Sequence, residues 1–445
     1  MNPERFLLRS MFPFTIALGV MLSPDSLMIL GNGMGETGPL FLAFILLAML
    51  AHVLTVLSYG ELFLLYPLRQ GEPVLLKAAF GSLPATVLLL CSRVMFVICA
   101  STGILATAGY VFNEVFVYWF PNLGFSFCLL GFLLMLNLMG WKIAARTQLI
   151  LVTVALLGLI LLTVVGQLEW SNPDRVGSIV FPGAKDLARV GVAGLLLFLG
   201  HDLAQMAGNN QQERRGSLVV SMLFAIGLSG VIFSTWGMVS LRHVPMERLA
   251  DTSIPYAVAA RAVLGQMGRI VMGVVVITGS LSAVNALLLS VSRSLVSMAH
   301  EGLLPSLFAG TKERPTAILI VLTVGVAAMM GLGMAGEPVL EIYTKAAILF
   351  WLLTYAAVHL AILIERVGPS KRRLPSHKAW HPAVAIIGFF VMLIASAALL
   401  WTDTAATELM KFMLTVSVSV SIFCLAWLGF KRSKIASGTT RIGGA

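Results

Sequence analysis

Apolar residues run in blocks of about 20 along most of this chain, with short polar or basic runs between them. Twelve blocks stand out: 12–32, 38–65, 84–112, 124–140, 147–167 and 187–208, then 217–240, 268–298, 316–334, 339–363, 382–401 and 407–430. Each is long enough to cross a hydrocarbon core of about 30 Å as a helix. Lipid offers no partner to a backbone N–H or C=O, so each block has to satisfy its own hydrogen bonds, and the helix is the structure that does so. The pattern therefore predicts an all-α polytopic membrane protein with about twelve spans, a single membrane domain over residues 1–445. The segment 168–186 carries Pro173 and Pro182 and reads as an irregular loop. The segment 242–266, with Pro245 and Pro255 around an apolar run, reads as a loop holding a short helix over one face. Glu341 and Lys345, spaced i,i+4 at the start of the tenth block, suit a local ion pair.

Composition narrows the class. Only 11% of residues are charged and 58% are hydrophobic, too little polar surface for a soluble domain. The net charge of +10 suggests nucleic acid at first sight, yet the basic residues fall in short runs between blocks with no aromatic interleaving. Those runs set an orientation: Arg5 and Arg9, Arg69 and Lys77, Lys142 and Arg146, Arg214 and Arg215, Lys312 and Arg314, then Arg366 to Lys378 and Lys431 to Lys434. The alternate connections, such as 113–125, 335–340 and 402–406, have neither Lys nor Arg. The positive-inside rule puts both termini in the cytoplasm, and the N-terminal stretch reads as an uncleaved first span of a cytoplasmic (inner) membrane protein. Cys91, Cys99, Cys128 and Cys424 lie in apolar blocks without metal-ligand spacing and read as packing residues.

Two blocks are interrupted by polar residues at mid-membrane depth. The first reads Gly19-Val20-Met21-Leu22-Ser23-Pro24-Asp25-Ser26, and the sixth reads Leu197-Phe198-Leu199-Gly200-His201-Asp202. A charge at that depth costs at least about 2.5–3.5 kcal/mol and faces a cavity or a partner. Proline removes a helical hydrogen bond and glycine loosens the helix. The two blocks head successive sets of five, and breaks at matching places in two halves point to a transporter's central site, where unwound turns offer free N–H and C=O groups to a solute. A Ser-Pro pair also has a plain reading as a kink. Ser23, Pro24, Asp25, Ser26, Gly200, His201 and Asp202 are the candidate solute contacts. Asp25, His201 and Asp202 are also candidates for carrying a coupling proton or sodium ion, His201 because its ordinary pKa lies near neutrality. Arg93 is a possible counter-ion for either aspartate, though snorkelling to the inner face is the expected arrangement. His52 reads as a packing residue.

At these residues the chain resembles the amino acid–polyamine–organocation permease superfamily. Gly35-Glu36-Thr37-Gly38-Pro39 follows the first block. Tyr59-Gly60-Glu61-Leu62, Tyr66-Pro67 and Gly71-Glu72-Pro73 follow the second, and Asn137-Leu138-Met139-Gly140-Trp141-Lys142 the fourth. The most specific match is Asn285, Ser292-Arg293 and Met298-Ala299-His300-Glu301-Gly302-Leu303-Leu304-Pro305, with Pro315 opening the next block. The resemblance covers roughly residues 10–365. It implies a five-plus-five inverted repeat (about 12–167 and 187–363) with peripheral helices at about 382–430, alternating access, and proton coupling or exchange. It also implies a solute site in the unwound parts of the first and sixth spans, with Asn285 nearby.

Three departures stand out. The position of the family's Gly-Ser-Gly, whose N–H groups bind a substrate carboxylate, holds Ser23-Pro24-Asp25 here; Pro24 has no N–H and an ionised Asp25 repels a carboxylate. The acidic pair that usually follows the sixth-span break is replaced by Asn209-Asn210, and the fifth block has no Lys. The expected function is a permease for an amino acid, amine or related organic cation, with H+ or Na+ coupling, no cofactor, no bound metal and no nucleic-acid partner. Two alternatives use the same residues: a non-transporting sensor on this scaffold, and a membrane-embedded enzyme working through Asp25, His201 and Asp202. Against the enzyme, no activated nucleophile or metal-ligand spacing is present.

Overall fold

The computed structural model describes residues 3–66, 71–168, 179–207, 215–310, 315–367 and 381–436. Asn209, Asn210 and the basic residues Arg69, Arg214, Lys312, Arg314, Lys371, Arg372, Arg373 and Lys378 lie outside them. Each of the twelve apolar blocks falls on helix, and no strand occurs among the described residues. Among the described residues nine helical stretches are long and apolar enough to cross a membrane, Pro24–Leu65 and Ser82–Val115 each counted as one, and Met11–Met21, Asn122–Leu138 and Thr316–Gly331 are shorter apolar helices.

The first block is two helices, α1 (Pro3–Met21) and α2 (Pro24–Thr37), separated at Leu22-Ser23. A 3-10 turn, Gly38–Leu40, leads into α3 (Phe41–Leu65). After α4 (Gly71–Phe80), the third block also departs from a plain helix: α5 (Ser82–Leu89) passes through a π-helical turn, Leu90–Val94, into α6 (Met95–Val115). Such a turn adds a residue to the helix and re-aims its side chains, and it is frequent at functional sites. It carries Arg93. The fourth and fifth blocks are α7 (Asn122–Leu138) and α8 (Trp141–Leu168).

The sixth block is broken as the first is. Helix α9 (Ala184–Leu196) ends in turns, followed by a 3-10 turn, His201–Leu203, and α10 (Ala204–Ala207). Next come α11 (Arg215–His243), the short α12 (Met246–Ala250) and α13 (Pro255–His300), the last with a kink at Leu264 and Gly265. The expected short helix in 242–266 is thus α12. It lies on α2 so closely that a Cβ on Gly35 would overlap the backbone of Leu249 and Ala250. The chain ends with α14 (Thr316–Gly331), α15 (Pro338–Val367), α16 (His381–Thr402) and α17 (Ala406–Ala436). The expected ion pair forms, Lys345 to Glu341 at 2.7 Å, and Asp403 joins it at 2.7 Å from the turn between α16 and α17.

Burial separates the centre from the rim. In its most apolar window α13 is 83% buried and α17 only 6%. Helix α13 packs chiefly on α8, α6 and α1, whereas α17 exposes Leu414, Val418 and Ile422. In water such a face would be a liability, but against acyl chains it is the expected outer surface of a membrane protein. The two broken segments meet in the middle, where α1 packs against the 3-10 turn and α10 of the sixth block and α2 packs against α9.

Candidate functional site

The first break is a well-formed helix start. Ser23 is extended (φ −65°, ψ 156°), its Oγ accepts the Ser26 N–H at 3.4 Å, and its carbonyl accepts from Leu27 at 3.2 Å. Pro24 takes the first helical position, where a missing N–H costs nothing. Asp25 follows in the first turn, where the helix dipole favours a carboxylate. The segment is anchored from behind: a Cβ on Gly279 of α13 would lie 2.8 Å from the Leu22 carbonyl.

Asp25 takes no part in the cap. It is half-buried and makes no hydrogen bond or ion pair among the described residues. Together with Pro24 and Met28 it lines a cavity of about 640 Å³. The remaining wall comes from Gly103, Thr107 and Tyr110 of α6, from Asn122 and Leu123, from Ser253, Ile254 and Tyr256, and from Ala335 and Gly336. These last groups sit at connections between helices, so the cavity opens on the face that carries the α6–α7, α12–α13 and α14–α15 connections. Its size falls in the range of small-molecule sites, and its lining is mostly apolar with a few hydroxyl groups and one carboxylate.

The second break is built differently. Gly200 has φ +94°, which glycine adopts without strain, and a Cβ there would lie 2.7 Å from Val20 Cγ1. This close approach brings the two breaks into contact. Imidazoles donate to two carbonyls at the unwinding: His52 Nε2 donates to Leu195 O at 2.9 Å and His201 Nδ1 to Phe198 O at 3.1 Å. The two rings are 4.8 Å apart, and Tyr355 packs on both. His52 is therefore part of a polar cluster, a correction to its reading as packing alone.

Asp202 does not face the cavity. Its Oδ2 lies 2.6 Å from Arg93 Nη2, and its Oδ1 accepts from Tyr355 Oη at 2.6 Å. The same guanidinium nitrogen donates to Glu72 Oε2 at 2.7 Å and Oε1 at 2.9 Å, and Tyr59 Oη donates to Glu72 Oε1 at 2.8 Å. Arg93 also stacks over Trp351, 4.0 Å from the ring centroid. The side chains of Glu72, Arg93 and Asp202 are all 0% exposed. The expectation that Arg93 snorkels to the inner face is overturned: the π-helical turn points it inward, where two carboxylates offset the cost of removing its charge from water. Sequence reasoning missed Glu72 as a site residue, together with Tyr59, Trp351 and Tyr355. The i,i+4 spacing of Trp351 and Tyr355, which puts both rings on one face of α15, was the available signal.

This cluster lies toward the face opposite the cavity. Arg93 lies just before the start of α6, whereas Gly103, Thr107 and Tyr110, which line the cavity, lie further along that helix toward its other end, and on the side of Arg93 the Glu301 carbonyl accepts from Lys77 of α4 at 2.7 Å. Glu72 is on that same α4.

Asn285 sits in a third, separate group. Its Nδ2 donates to Gln148 Oε1 at 2.8 Å and lies 3.3 Å from the Ala144 carbonyl, while its Oδ1 accepts from Asn137 at 2.9 Å. Gln148 Nε2 in turn reaches Thr15 O at 3.1 Å and Ser282 Oγ at 2.9 Å. The network joins α1, α7, α8 and α13, and its side-chain amides serve one another. Of the residues expected to line one site, Pro24 and Asp25 line the cavity, Ser23 caps their helix by accepting from the Ser26 N–H, and His201 and Asp202 are turned into the ionic cluster.

Comparison with known proteins fits this architecture. The family model described as amino acid permease matches residues 13–426. The inner membrane transport protein YbaT of Escherichia coli is 26% identical over 197 residues, covering 42% of this chain and 45% of YbaT. The general amino acid permease AGP3 of Saccharomyces cerevisiae is 22% identical over 412 residues, covering 84% of this chain and 71% of AGP3. Among solved structures, a manganese transporter of Eremococcus coleocola superposes with a TM-score of 0.60 over 98% of this chain and 96% of its own, at 12% identity. That likeness concerns the fold.

Proposed function

The chain belongs to the amino acid permease family, and on that premise we propose that it is a secondary active transporter whose solute places a cationic nitrogen against Asp25. Membrane transport as such follows from the family. The proposed solute class is an amino acid, an amine or a related organic cation. One observation carries this reading: Asp25 is a carboxylate without an ion-pair partner among the described residues, set in the wall of a cavity of about 640 Å³.

Pro24 and Asp25 make this end of α2 a poor receptor for a carboxylate, since the first offers no N–H and the second repels an anion. A protonated amine suits it. Tyr110 and Tyr256, which also line the cavity, supply aromatic faces that attract cations and hydroxyl groups that orient them. In this proposal the first and sixth blocks head two inverted repeats and rock against the rest of the bundle, exposing the cavity alternately to either side, with proton or sodium coupling or with exchange. The basic connections lie in the cytoplasm of an inner-membrane protein, and the cavity then faces the opposite side.

The test is uptake and exchange of labelled amino acids, polyamines and small amines in proteoliposomes, with and without imposed proton and sodium gradients. Flux of a cationic solute that Asp25→Asn abolishes or uncouples supports the assignment. Wild-type flux in Asp25→Asn defeats it. Binding without flux in folded, inserted protein would favour a sensor on this scaffold.

A further inference from the structure

The Glu72–Arg93–Asp202 cluster contains one positive and two negative side chains, none of which is exposed. If all three are ionised the cluster carries one uncompensated negative charge in a buried setting, a costly arrangement. We propose that the cluster binds one proton, and that this proton is the transporter's coupling ion. The inference rests on the transport reading above and assigns the coupling site within it.

The surroundings favour a proton over a metal cation. Three of the four carboxylate oxygens accept hydrogen bonds, Glu72 Oε1 from Tyr59 and Arg93, Glu72 Oε2 from Arg93 and Asp202 Oδ1 from Tyr355, while the fourth, Asp202 Oδ2, is ion-paired to Arg93 Nη2 at 2.6 Å without a hydrogen bond. A sodium ion would need several oxygens to itself, which would mean displacing the guanidinium. A proton needs no space. A phenol either donates or accepts, so Tyr59 or Tyr355 can turn its hydroxyl and accept a hydrogen bond from a newly protonated carboxyl. His201 is a further acceptor beside Asp202: its Nδ1 is committed to Phe198 O, while its Nε2 is buried without a partner. His52, whose Nε2 is committed to Leu195 O, has its Nδ1 likewise buried and unpartnered. These are the titratable groups that face the cluster: Tyr59 and His52 from α3, Glu72 from α4, Arg93 from the π-helical turn, His201 with Asp202 from the sixth-block break, and Tyr355 from α15. Strongly coupled groups of this kind bind the proton as a set.

The position of the cluster gives the proton its consequence. Asp202 follows directly on the unwound turn of the sixth block, Glu72 is on α4 and Arg93 on the third block, so the cluster ties three segments together on the side away from the cavity. With one proton bound the tie is neutral and tolerates burial. When that side opens, the carboxylates gain water, the surplus charge no longer needs compensation, and the proton leaves as hydronium. The reverse movement takes one proton from water before the tie can close. Protonation and sealing are thereby linked in one equilibrium.

The experiment uses the full chain in lipid nanodiscs and in proteoliposomes. Infrared difference spectra between acidic and alkaline buffer should show a protonating carboxyl or imidazole in the wild type. The Glu72→Gln variant, which makes the cluster neutral without a proton, should lose that signal, and His201→Gln reports whether the imidazole shares it. In parallel, uptake of the labelled panel should depend on pH in the wild type and lose that dependence in Glu72→Gln. A pH-difference spectrum unchanged by Glu72→Gln, or an unchanged pH profile of uptake, overturns the proposal. Should no wild-type flux be found for any solute, the transport reading fails while the infrared result still decides whether the cluster holds a proton. If Glu72→Gln does not fold, Asp202→Asn repeats the neutralisation from the other carboxylate.

Discussion

The first and sixth blocks carry the same device, a helix breaker followed by an aspartate, and the structure turns the two aspartates to opposite ends. Asp25 begins a capped helix and lines a cavity with no charged partner among the described residues. Asp202 ends an unwound turn and is held by Arg93 and Tyr355 with no exposure. A carboxylate at mid-membrane depth needs either water or a cation. Asp25 faces an open cavity, and Asp202 has an arginine. The difference lies in what packs beside each break, and it separates a group available to a solute from one that holds helices together.

Removing the cation is the harshest way to break this comparison. Arg93→Leu leaves Glu72 and Asp202 buried and unpaired, and is expected to destabilise the protein by about 3–5 kcal/mol. Thermal melting and size-exclusion profiles in detergent would register it. Adding Glu72→Gln and Asp202→Asn to the same chain should recover much of the loss, since an uncharged cluster has no unpaired charge to desolvate. If the single variant melts like the wild type, the ion cluster is not what holds Asp202.

The matching change at the other break should behave in the opposite way. Asp25→Asn is expected to leave the melting temperature where it is and to abolish or uncouple labelled uptake. A large fall in stability without a transport defect would place Asp25 with Asp202 and erase the contrast.

Two smaller effects compare the breaks as pieces of backbone. Gly200→Ala puts a Cβ on a residue with φ +94° and against Val20, and should cost about 1–2 kcal/mol for the left-handed conformation alone. Ser23→Ala removes one cap from α2 and should cost about 1 kcal/mol. Chemical denaturation of the purified protein would rank the two. A larger loss for Ser23→Ala would mean that the first break depends on its cap more than the sixth depends on its glycine.

How much of this is legible beforehand follows from the range of each interaction. The helical blocks, the two breaks and the Glu341–Lys345 pair depend on neighbours a few residues apart, and they can be read along the chain. The ion cluster joins positions 72, 93 and 202, with rings from 59, 351 and 355. No local pattern shows that these converge. Arg93 illustrates the gap: an arginine near one end of an apolar block ordinarily snorkels, and only the π-helical turn with two carboxylates behind it sends the side chain inward. Asn285 illustrates another. It occurs in a recognisable motif, yet its amide is already engaged by Asn137, Ala144 and Gln148.

The sequence by itself determined that this protein is a bundle of membrane helices with polar breaks in the first and sixth blocks, because lipid leaves apolar segments no other way to satisfy their backbone. Its ordered motifs also pointed to a permease. Only the tertiary structure decided which aspartate meets the cavity and which meets an arginine. The cost of a buried charge depends on what surrounds it, and those surroundings come from residues up to several hundred positions away.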